Sequence, residues 1–342
     1  MKRTLKSIFI AVTVFILVFA MVGCRILQRP EEADPVPESD SPEEQAVLPE
    51  VLDAEEGQEP SLEVYLHEEN RVETMQMEEY IEGVVAAEMR PNWDEEALAA
   101  QAIIARTFTL QKIEAEGGVQ ERNAHASTDI QEFQAYNRDA VNEQVQAAVE
   151  RTRGEVAVYG GQFIRAWFHA YCGGTTATAK EGLNYADEEP PYIHRVDCPC
   201  YEEIDEEERE FEVSFSTSQV RNAVQEITGE DPGQFQSVEI AEESEGRAIT
   251  LNVGDVEVNA SELRINLGST ELRATVIEDI TVAGNEVTFT GRGYGHGVGM
   301  CQWGAFIFAR DDEKNEGEVE DKNAEEIVDY YFKDVSIQKL WD

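Results

Sequence analysis

The chain has 342 residues, of which 42% are hydrophobic, so it is long and apolar enough for one large folded domain or two ordinary ones. Its 27 lysines and arginines stand against 71 aspartates and glutamates, which gives a formal net charge of −44 at pH 7. Such a chain repels phosphate backbones, and no basic stripe offsets that repulsion, so we expect no nucleic-acid partner.

Residues 1–24 have the organisation of a bacterial export signal. Basic residues precede an apolar run at residues 8–22, which is short for a helix that spans ~20 residues of bilayer. Cys24 follows this run as in a lipobox, where the thiol is lipidated and becomes the new N-terminus. Met21 is atypical for a lipobox, so an uncleaved membrane anchor is the alternative. Both predict that the chain lies at the extracytoplasmic face of the cell membrane.

Residues 25–61 are predicted to be a disordered acidic linker. Beyond Arg29 they contain no lysine or arginine, little aliphatic content and several prolines. This composition is typical of a self-repelling, extended tether. One domain is predicted for residues 62–342, starting where "LEVYLHE" alternates as a strand does.

Two helices are predicted at the start of this domain. In "ETMQMEEYIEGVVAAEM", residues 73–89, apolar residues recur at a spacing of three and four until "RPNW" ends the helix. Asp94 then caps a second helix, "DEEALAAQAIIARTFTLQKIEAEGG", which ends at Gly117 and Gly118.

The rest of the domain is predicted to mix hairpins and helices. The hairpins share tight glycine-containing turns, at Gly160-Gly161, Gly254-Asp255 and Gly284-Asn285. Strands are expected throughout "AITLNVGDVEVNASELRINLG", and helices over "STSQVRNAVQEITG" and "NAEEIVDYYFKD". The predicted fold class is α+β: a single large domain whose helices and hairpins line a cleft, with a β-rich insertion.

Glu88 is a candidate general acid. Val84 and Val85 lie one helical turn before it, and apolar surroundings disfavour a charged carboxylate and so raise its pKa. A carboxyl that stays protonated near neutral pH suits the protonation of a glycosidic oxygen. The alternative, which spacing alone favours, is that Glu88 ends its helix and points into solvent before Pro91.

Gln101 and Arg106 are polar residues in a helix otherwise built for burial. Without partners, their desolvation costs a few kcal/mol each. They either form internal structural contacts or face a cleft and hold a polar substrate, and the sequence favours neither.

The segment "GRGYGHGVGMCQWGA", residues 291–305, places six glycines around one histidine. It lacks the helix-opening spacing of G-x-G-x-x-G and a following Lys-Ser/Thr, which argues against a phosphate loop. We interpret it as a groove wall where missing side chains let a bulky ligand approach the backbone. His296 and Gln302 offer hydrogen bonds there.

This segment, together with "MEEYIEGVVAAEMRPNWDEEALAAQAIIARTF" and "FHAYCGGTTATA", resembles the family of stage II sporulation protein D and the LytB-type amidase enhancers, in consistent order over residues 62–342. The resemblance implies a lytic transglycosylase that acts on peptidoglycan glycan strands, in sporulation engulfment or wall remodelling. It also implies a preference for strands already stripped of stem peptides, with a cell-wall amidase and other engulfment proteins as partners. Some relatives are described instead as non-catalytic enhancers of an amidase.

The resemblance also implies roles for single residues. Glu88 matches the catalytic glutamate, which protonates the oxygen leaving C1 of N-acetylmuramic acid and then takes a proton from the C6 hydroxyl as a 1,6-anhydro ring closes. One carboxyl therefore suffices, whereas ordinary glycosidases use two. Cys301 stands where many relatives have serine, so we do not expect a nucleophile there. The matching substrate-binding positions are Gln101, Arg106, Thr107, His296, Gly297, Gly299 and Gln302.

His169, Cys172, Cys198 and Cys200 have donor types and local pairing suited to a structural zinc ion. Outside the cytoplasm, a disulfide from Cys172 to Cys198 or Cys200 is the alternative. The resemblance includes zinc-binding relatives, and the two alternatives then weigh equally. No H-E-x-x-H motif is present, and no cofactor is expected to take part in catalysis.

Overall fold

The computed structural model describes residues 45–201, 204–310 and 320–342. The predicted export signal with Cys24, and the linker as far as residue 44, lie outside the described residues, so these assignments stay predictions. Among the helices that are described, none is both long and apolar enough to cross a membrane.

The strands are β1 (Ser61–Leu66), β2 (Arg71–Gln76), β3 (Ala126–Ser127), β4 (Glu155–Tyr159), β5 (Gln162–Phe163), β6 (Phe168–His169), β7 (Glu210–Ser216), β8 (Val238–Ser244), β9 (Arg247–Val253), β10 (Val256–Asn259), β11 (Val276–Ala283), β12 (Glu286–Arg292), β13 (Met300–Cys301) and β14 (Ser336–Lys339). The helices are α1 (Met77–Glu88), α2 (Glu95–Glu116), α3 (Glu143–Arg151), α4 (Ala179–Leu183), α5 (Glu206–Arg209), α6 (Thr217–Thr228), α7 (Ala260–Leu267), α8 (Gln302–Phe308) and α9 (Ala324–Tyr331). Short 3₁₀ turns lie at Gln120–Arg122, Arg138–Ala140 and Pro199–Tyr201.

These elements confirm the α+β class, because the sheets are small and helices pack between them. The strand orders are β2-β1-β3, β14-β4-β5, β13-β6, β10-β9-β8 and β11-β12-β7. The last two sheets, with α6 and α7, surround a second hydrophobic core of residues between 211 and 289. This second core is the β-rich insertion, and the remaining elements share the larger core.

Helix α2 runs through the larger core. Its residues from Ala97 to Arg106 are wholly buried, and it packs against α1, α3, α8 and α9. It ends as predicted, because Gly117 takes the left-handed conformation at φ 74° and its N–H bonds to the carbonyl of Ile113. Asp94 precedes the first helical residue, although its side chain makes no capping hydrogen bond.

The three predicted hairpins are confirmed as β4–β5, β9–β10 and β11–β12. The prediction of strands throughout "AITLNVGDVEVNASELRINLG" is wrong in its second half, where the chain forms α7. Asn259 causes the change, because its side chain accepts the N–H groups of Ser261 and Glu262 and so starts a helix directly after β10.

Residues 45–60 belong to the stretch that the sequence assigns to the linker. In the structure, Ala46 and Leu52 are buried in the larger core. The N–H of Ala46 donates to Oε1 of Gln338 at 2.9 Å, and Gly57 forms a parallel bridge with Trp341. The packed part of the chain therefore includes residues that precede β1.

Candidate functional site

Glu88 is the last residue of α1, and its partly buried carboxyl faces other parts of the protein. Its Oε1 accepts the backbone N–H of Ala135 at 2.9 Å. Its Oε2 lies 3.5 Å from Nε2 of Gln302, the first residue of α8. The carboxyl is thus held between α1, an irregular loop and the glycine-rich segment, and it does not simply end a helix in solvent.

Gln101 completes this group from the neighbouring helix α2. Nε2 of Gln302 also donates to Oε1 of Gln101 at 3.3 Å. Gln101 is wholly buried, and its own Nε2 has no hydrogen-bond partner among the described residues. Since Gln101 takes one hydrogen of the Gln302 amide, the other is free to point at Glu88. The structure therefore brings Glu88, Gln101 and Gln302 together.

Burial raises the pKa of Glu88 above the ordinary value of a glutamate. The hydrogen bonds from Ala135 and Gln302 act in the opposite direction because they stabilise the carboxylate. Glu88 forms no ion pair among the described residues, so no cation offsets the loss of hydration. Such a carboxyl can exchange a proton at a higher pH than an exposed glutamate does.

Aromatic residues and one arginine come shortly after Glu88 and shortly after Gln302 along the chain, and they pack against one another. The rings of Trp93 and Trp303 lie 4.9 Å apart, and the Trp93 ring stacks on Phe306 at 4.6 Å. The guanidinium of Arg90 lies 5.0 Å from the Trp303 ring centroid and forms an ion pair with Glu208 at 2.8 Å. These contacts pack the residue after Gln302 against the turn that follows α1.

Arg106 and Thr107 lie apart from the Glu88 group and make internal contacts. Arg106 is wholly buried and donates to Glu78 at 2.6 and 3.1 Å and to the carbonyl of Glu155 at 2.8 Å. Thr107 is also wholly buried, and its hydroxyl accepts the N–H of Ala157 at 2.8 Å. Of the two roles that the sequence leaves open for Arg106, the structure shows the internal one.

The glycines of residues 291–305 are explained by contacts within the protein. A Cβ on Gly295 would lie 2.6 Å from Cβ of His169, and Gly295 has φ +113°. Gly297 and Gly299 are buried, and a Cβ on them would collide with Arg247 and with the carbonyl of Trp167. The bare backbone therefore permits close packing of the chain on itself, a different reason from the groove wall that the sequence suggested.

His296 lies beside His169 and not among the residues bonded to Glu88. The two ring centroids are 5.5 Å apart, and Nδ1 of His296 accepts the N–H of Val298 at 3.0 Å. Burial lowers the pKa of His296 well below its ordinary value and lowers the pKa of His169 to about 4. Both rings are therefore neutral at neutral pH.

Four buried cysteines form a second group. The Sγ atoms of Cys172, Cys198, Cys200 and Cys301 all lie within 4.8 Å of one another, and all four thiols are free. Four sulfurs around one zinc ion, each about 2.3 Å from it, are separated by distances of this order. The donor set thus fits a metal ion.

This group differs in one member from the set that the sequence predicts. Cys301 is included, because the parallel pairing of β13 with β6 brings it beside His169 and the following chain. His169 is not in the group; its Nδ1 lies 3.2 Å from the carbonyl of Val298. Cys301 is a candidate metal ligand that sequence reasoning missed, and the available signal was a cysteine without an assigned role in the glycine-rich segment.

The cluster disfavours negative charge on three of its sulfurs and favours it on one. Burial raises the pKa of the Cys172, Cys200 and Cys301 thiols well above the ordinary value. Burial acts in the same direction on Cys198, but hydrogen bonds from the neighbouring thiols and from Tyr331 hold its pKa well below the ordinary value. The Tyr331 hydroxyl lies 3.2 Å from Sγ of Cys198.

The chain is similar to several known proteins. Residues 65–159, which include Glu88 and Gln101, match the family model SpoIID, described as stage II sporulation protein. An uncharacterized protein of Brachyspira hyodysenteriae is 31% identical over 268 residues, 78% of this chain and 67% of that protein. Stage II sporulation protein D of Bacillus subtilis is 28% identical over 303 residues, 82% of this chain and 79% of that protein. The amidase enhancer of Bacillus subtilis is 25% identical over 269 residues, 66% of this chain but 37% of that protein.

Proposed function

The chain belongs to the stage II sporulation protein D family, and from this premise we propose that it is a lytic transglycosylase that cleaves peptidoglycan glycan strands. The observation that carries the proposal is the Glu88 carboxyl, which is partly buried, has a raised pKa and is held by Gln302 of the glycine-rich segment. The proposed substrate is a strand stripped of stem peptides, and the proposed product carries a 1,6-anhydro-N-acetylmuramic acid end.

The hydrogen bonds of Glu88 suggest which oxygen carries the acid proton. Ala135 occupies Oε1 at 2.9 Å, whereas Gln302 lies at 3.5 Å from Oε2, so Oε2 is the oxygen with the weaker competing contact. Oε2–H gives its proton to the leaving glycosidic oxygen as the bond to C1 breaks. The resulting carboxylate is stabilised by both N–H donors and takes the proton of the C6 hydroxyl, whose oxygen closes the ring on C1.

The experiment incubates the protein with peptide-free glycan strands and identifies the new ends by mass spectrometry. Anhydromuramyl ends that disappear in Glu88→Gln support the proposal. Reducing ends formed by addition of water would contradict the mechanism, because they require an activated water that ring closure does not use.

A second candidate function is a wall-binding enhancer of an amidase, and it rests on the similarity to the amidase enhancer of Bacillus subtilis. This function predicts that the protein binds glycan strands and raises the rate of a cell-wall amidase without cutting the strands itself. Glu88→Gln would then leave both effects unchanged. A cleavage assay run with and without the amidase separates the two functions.

We also propose that the protein works at the outer face of the cell membrane, held by a lipidated Cys24 or an uncleaved N-terminal helix. An amidase that removes stem peptides is the proposed partner, since it would supply the substrate. Globomycin-sensitive processing of the full chain would support the lipidated form, and an unprocessed membrane-bound chain would support the helix.

For the four cysteines we propose one structural zinc ion and not a disulfide. All four donors are thiols, so the ion would have no open position for a substrate or a reactive water. The ion would tie together three parts of the chain, at Cys172, at Cys198 with Cys200, and at Cys301. Metal analysis of the purified protein with a count of free thiols tests this: one zinc per chain is expected, and a disulfide without metal would overturn it.

A further inference from the structure

Arg247, the first residue of β9 in the β-rich insertion, is a buried cation without an anionic partner. Its side chain is 3% exposed. Nη1 donates to the hydroxyl of Thr275 at 3.0 Å, and Nη2 donates to the carbonyl of Cys172 at 3.1 Å. Within the described residues Arg247 forms no ion pair, although acidic side chains greatly outnumber basic ones in this chain. Burying a charge without a counter-charge is strongly unfavourable.

Another buried arginine of this protein does have an anionic partner. Arg106 is also inaccessible to solvent, and Glu78 accepts two hydrogen bonds from its guanidinium. No carboxylate is among the groups to which Arg247 donates hydrogen bonds. The titratable side chains near it include the imidazoles of His169 and His296. An imidazole such as that of His169 does not supply a negative charge. None of the groups bonded to Arg247 therefore supplies its counter-charge.

The carbonyl that Arg247 binds belongs to a member of the thiol cluster. A divalent ion with four thiolates has a net charge of −2, and all four thiols are buried, so such a centre needs nearby positive charge as much as Arg247 needs negative charge. The hydrogen bond from Nη2 to the Cys172 carbonyl places the guanidinium of Arg247 beside this cluster.

We propose that Arg247 is the counter-charge of the metal–thiolate centre formed by Cys172, Cys198, Cys200 and Cys301. This inference rests on the proposed zinc site. Since Arg247 comes from the insertion and the four cysteines belong to the larger core or its edge, metal binding and docking of the insertion stabilise one another. Arg247 is a positioning residue here and does not contact substrate.

Arg292 provides a matched control. Its Nε donates at 2.9 Å to the carbonyl of Gly173, the residue after Cys172, so it makes the same type of bond to the same segment from the same insertion. Its charge, however, is already offset by an ion pair with Glu278. Removing Arg292 therefore removes a comparable hydrogen bond without removing the proposed counter-charge.

The experiment measures zinc affinity by competition with a chromophoric chelator, together with the melting temperature of the metal-free and the zinc-loaded protein. Arg247→Met should weaken zinc binding about 10- to 100-fold, as loss of outer-shell partners of metal sites does. Arg247→Lys, which keeps the charge, and Arg292→Met should stay within about threefold of the parent. In the metal-free protein Arg247→Met should melt no lower than the parent, whereas the loaded variant should melt lower.

Several outcomes would overturn the inference. Equal zinc affinity in Arg247→Met and the parent would do so, as would equal losses in Arg247→Met and Arg292→Met. Equal lowering of the melting temperature with and without metal would show that Arg247 only joins the insertion to the larger core. A parent protein that binds no zinc would remove both this inference and the zinc site.

If Arg247→Met does not fold, Arg247→Gln and Arg247→Lys give the same comparison. Glycan cleavage is not a readout, so none of these results bears on the role of Glu88.

Discussion

Two glutamates at opposite ends of α1 are placed in contrasting environments. Glu78 is 5% exposed and accepts hydrogen bonds from Arg106 at 2.6 and 3.1 Å, from the N–H of Gly154 at 3.0 Å and from the indole of Trp341 at 2.9 Å. Glu88 accepts one backbone N–H and one longer contact from an amide, and it has no cationic partner in the part of the chain that is described.

The difference separates a carboxylate paired with a cation from a desolvated carboxyl without one. A guanidinium and two further N–H donors bind the Glu78 side chain, and the contacts tie α1 to α2, to the residue before β4 and to Trp341. Around Glu88, desolvation is offset only in part, so the proton is retained to higher pH. Helix α1 thus fixes its first turn with an ion pair, and its last residue carries the carboxyl for which we propose proton transfer.

The largest expected effect is on cleavage by Glu88→Gln. Loss of a general acid and base costs about 10²- to 10⁴-fold in rate, and here both roles are lost with one residue. The rate of anhydromuramyl end formation measures this. Glu82→Gln is the matched control, since Glu82 lies on the same helix and burial also raises its pKa. Equal activity of Glu88→Gln and the parent would show that Glu88 resembles Glu78 in being structural.

The next effect is on stability, and it tests the other end of the helix. Arg106→Met should lower the free energy of unfolding by about 3–5 kcal/mol, because it leaves the Glu78 carboxylate buried without its cation. The double variant Glu78→Gln/Arg106→Met should recover part of this loss, because no uncompensated charge remains. Urea unfolding measures both.

Arg90→Met is the control for this stability prediction. Arg90 forms an ion pair with Glu208, but about half of each side chain is exposed, 52% and 50%. Its removal should therefore cost less than about 1 kcal/mol. A similar cost for Arg106→Met would mean that the buried pair contributes no more than a surface pair.

The sequence predicts the Glu88 part of this contrast but not the Glu78 part. The spacing of apolar residues predicted α1, Gly117 predicted the end of α2, and Glu88 was singled out by its apolar neighbours and by the family resemblance. Glu78 was not singled out, because one more glutamate in "QMEEY" gives no sign that a residue on the next helix will neutralise it. Whether this charge is buried depends on how two helices pack, and the sequence of one helix alone does not predict it.

The contacts of the site that sequence reasoning could not find are of two kinds. Ala135 contributes a backbone N–H from an irregular loop. Every residue except proline has such a donor, so the residue type does not indicate this contact. Cys301 joins three cysteines that are far away along the chain, and only the pairing of two very short strands brings them together. Both depend on long-range contacts without a periodic pattern.

A smaller effect is expected when the contact between Gln302 and Glu88 is removed. Since this hydrogen bond lowers the pKa of Glu88, Gln302→Leu should raise that pKa further. The acid form is required for cleavage, so the pH at which activity falls on the alkaline side should move upward. A pH–rate profile measures the shift, and Gln101→Leu should produce a weaker shift of the same sign through Gln302. An unchanged profile with a reduced rate would mean that Gln302 contacts substrate and does not tune the acid.

The smallest effect is on stability as a function of pH. Folding raises the pKa of Glu88, so the folded protein binds the proton more tightly than the unfolded chain. The cost of burying the charged form is absent below the unfolded pKa, grows as pH rises, and is complete above the folded pKa. It amounts to about 1.4 kcal/mol for each unit by which folding raises the pKa. Glu88→Gln should therefore be more stable than the parent at neutral and alkaline pH, and the difference should disappear in acid.

Glu78→Gln should be less stable than the parent at neutral pH, because its carboxylate is the partner of a cation. Urea unfolding across this pH range that gave the same sign for both glutamines would remove the distinction between the two ends of α1.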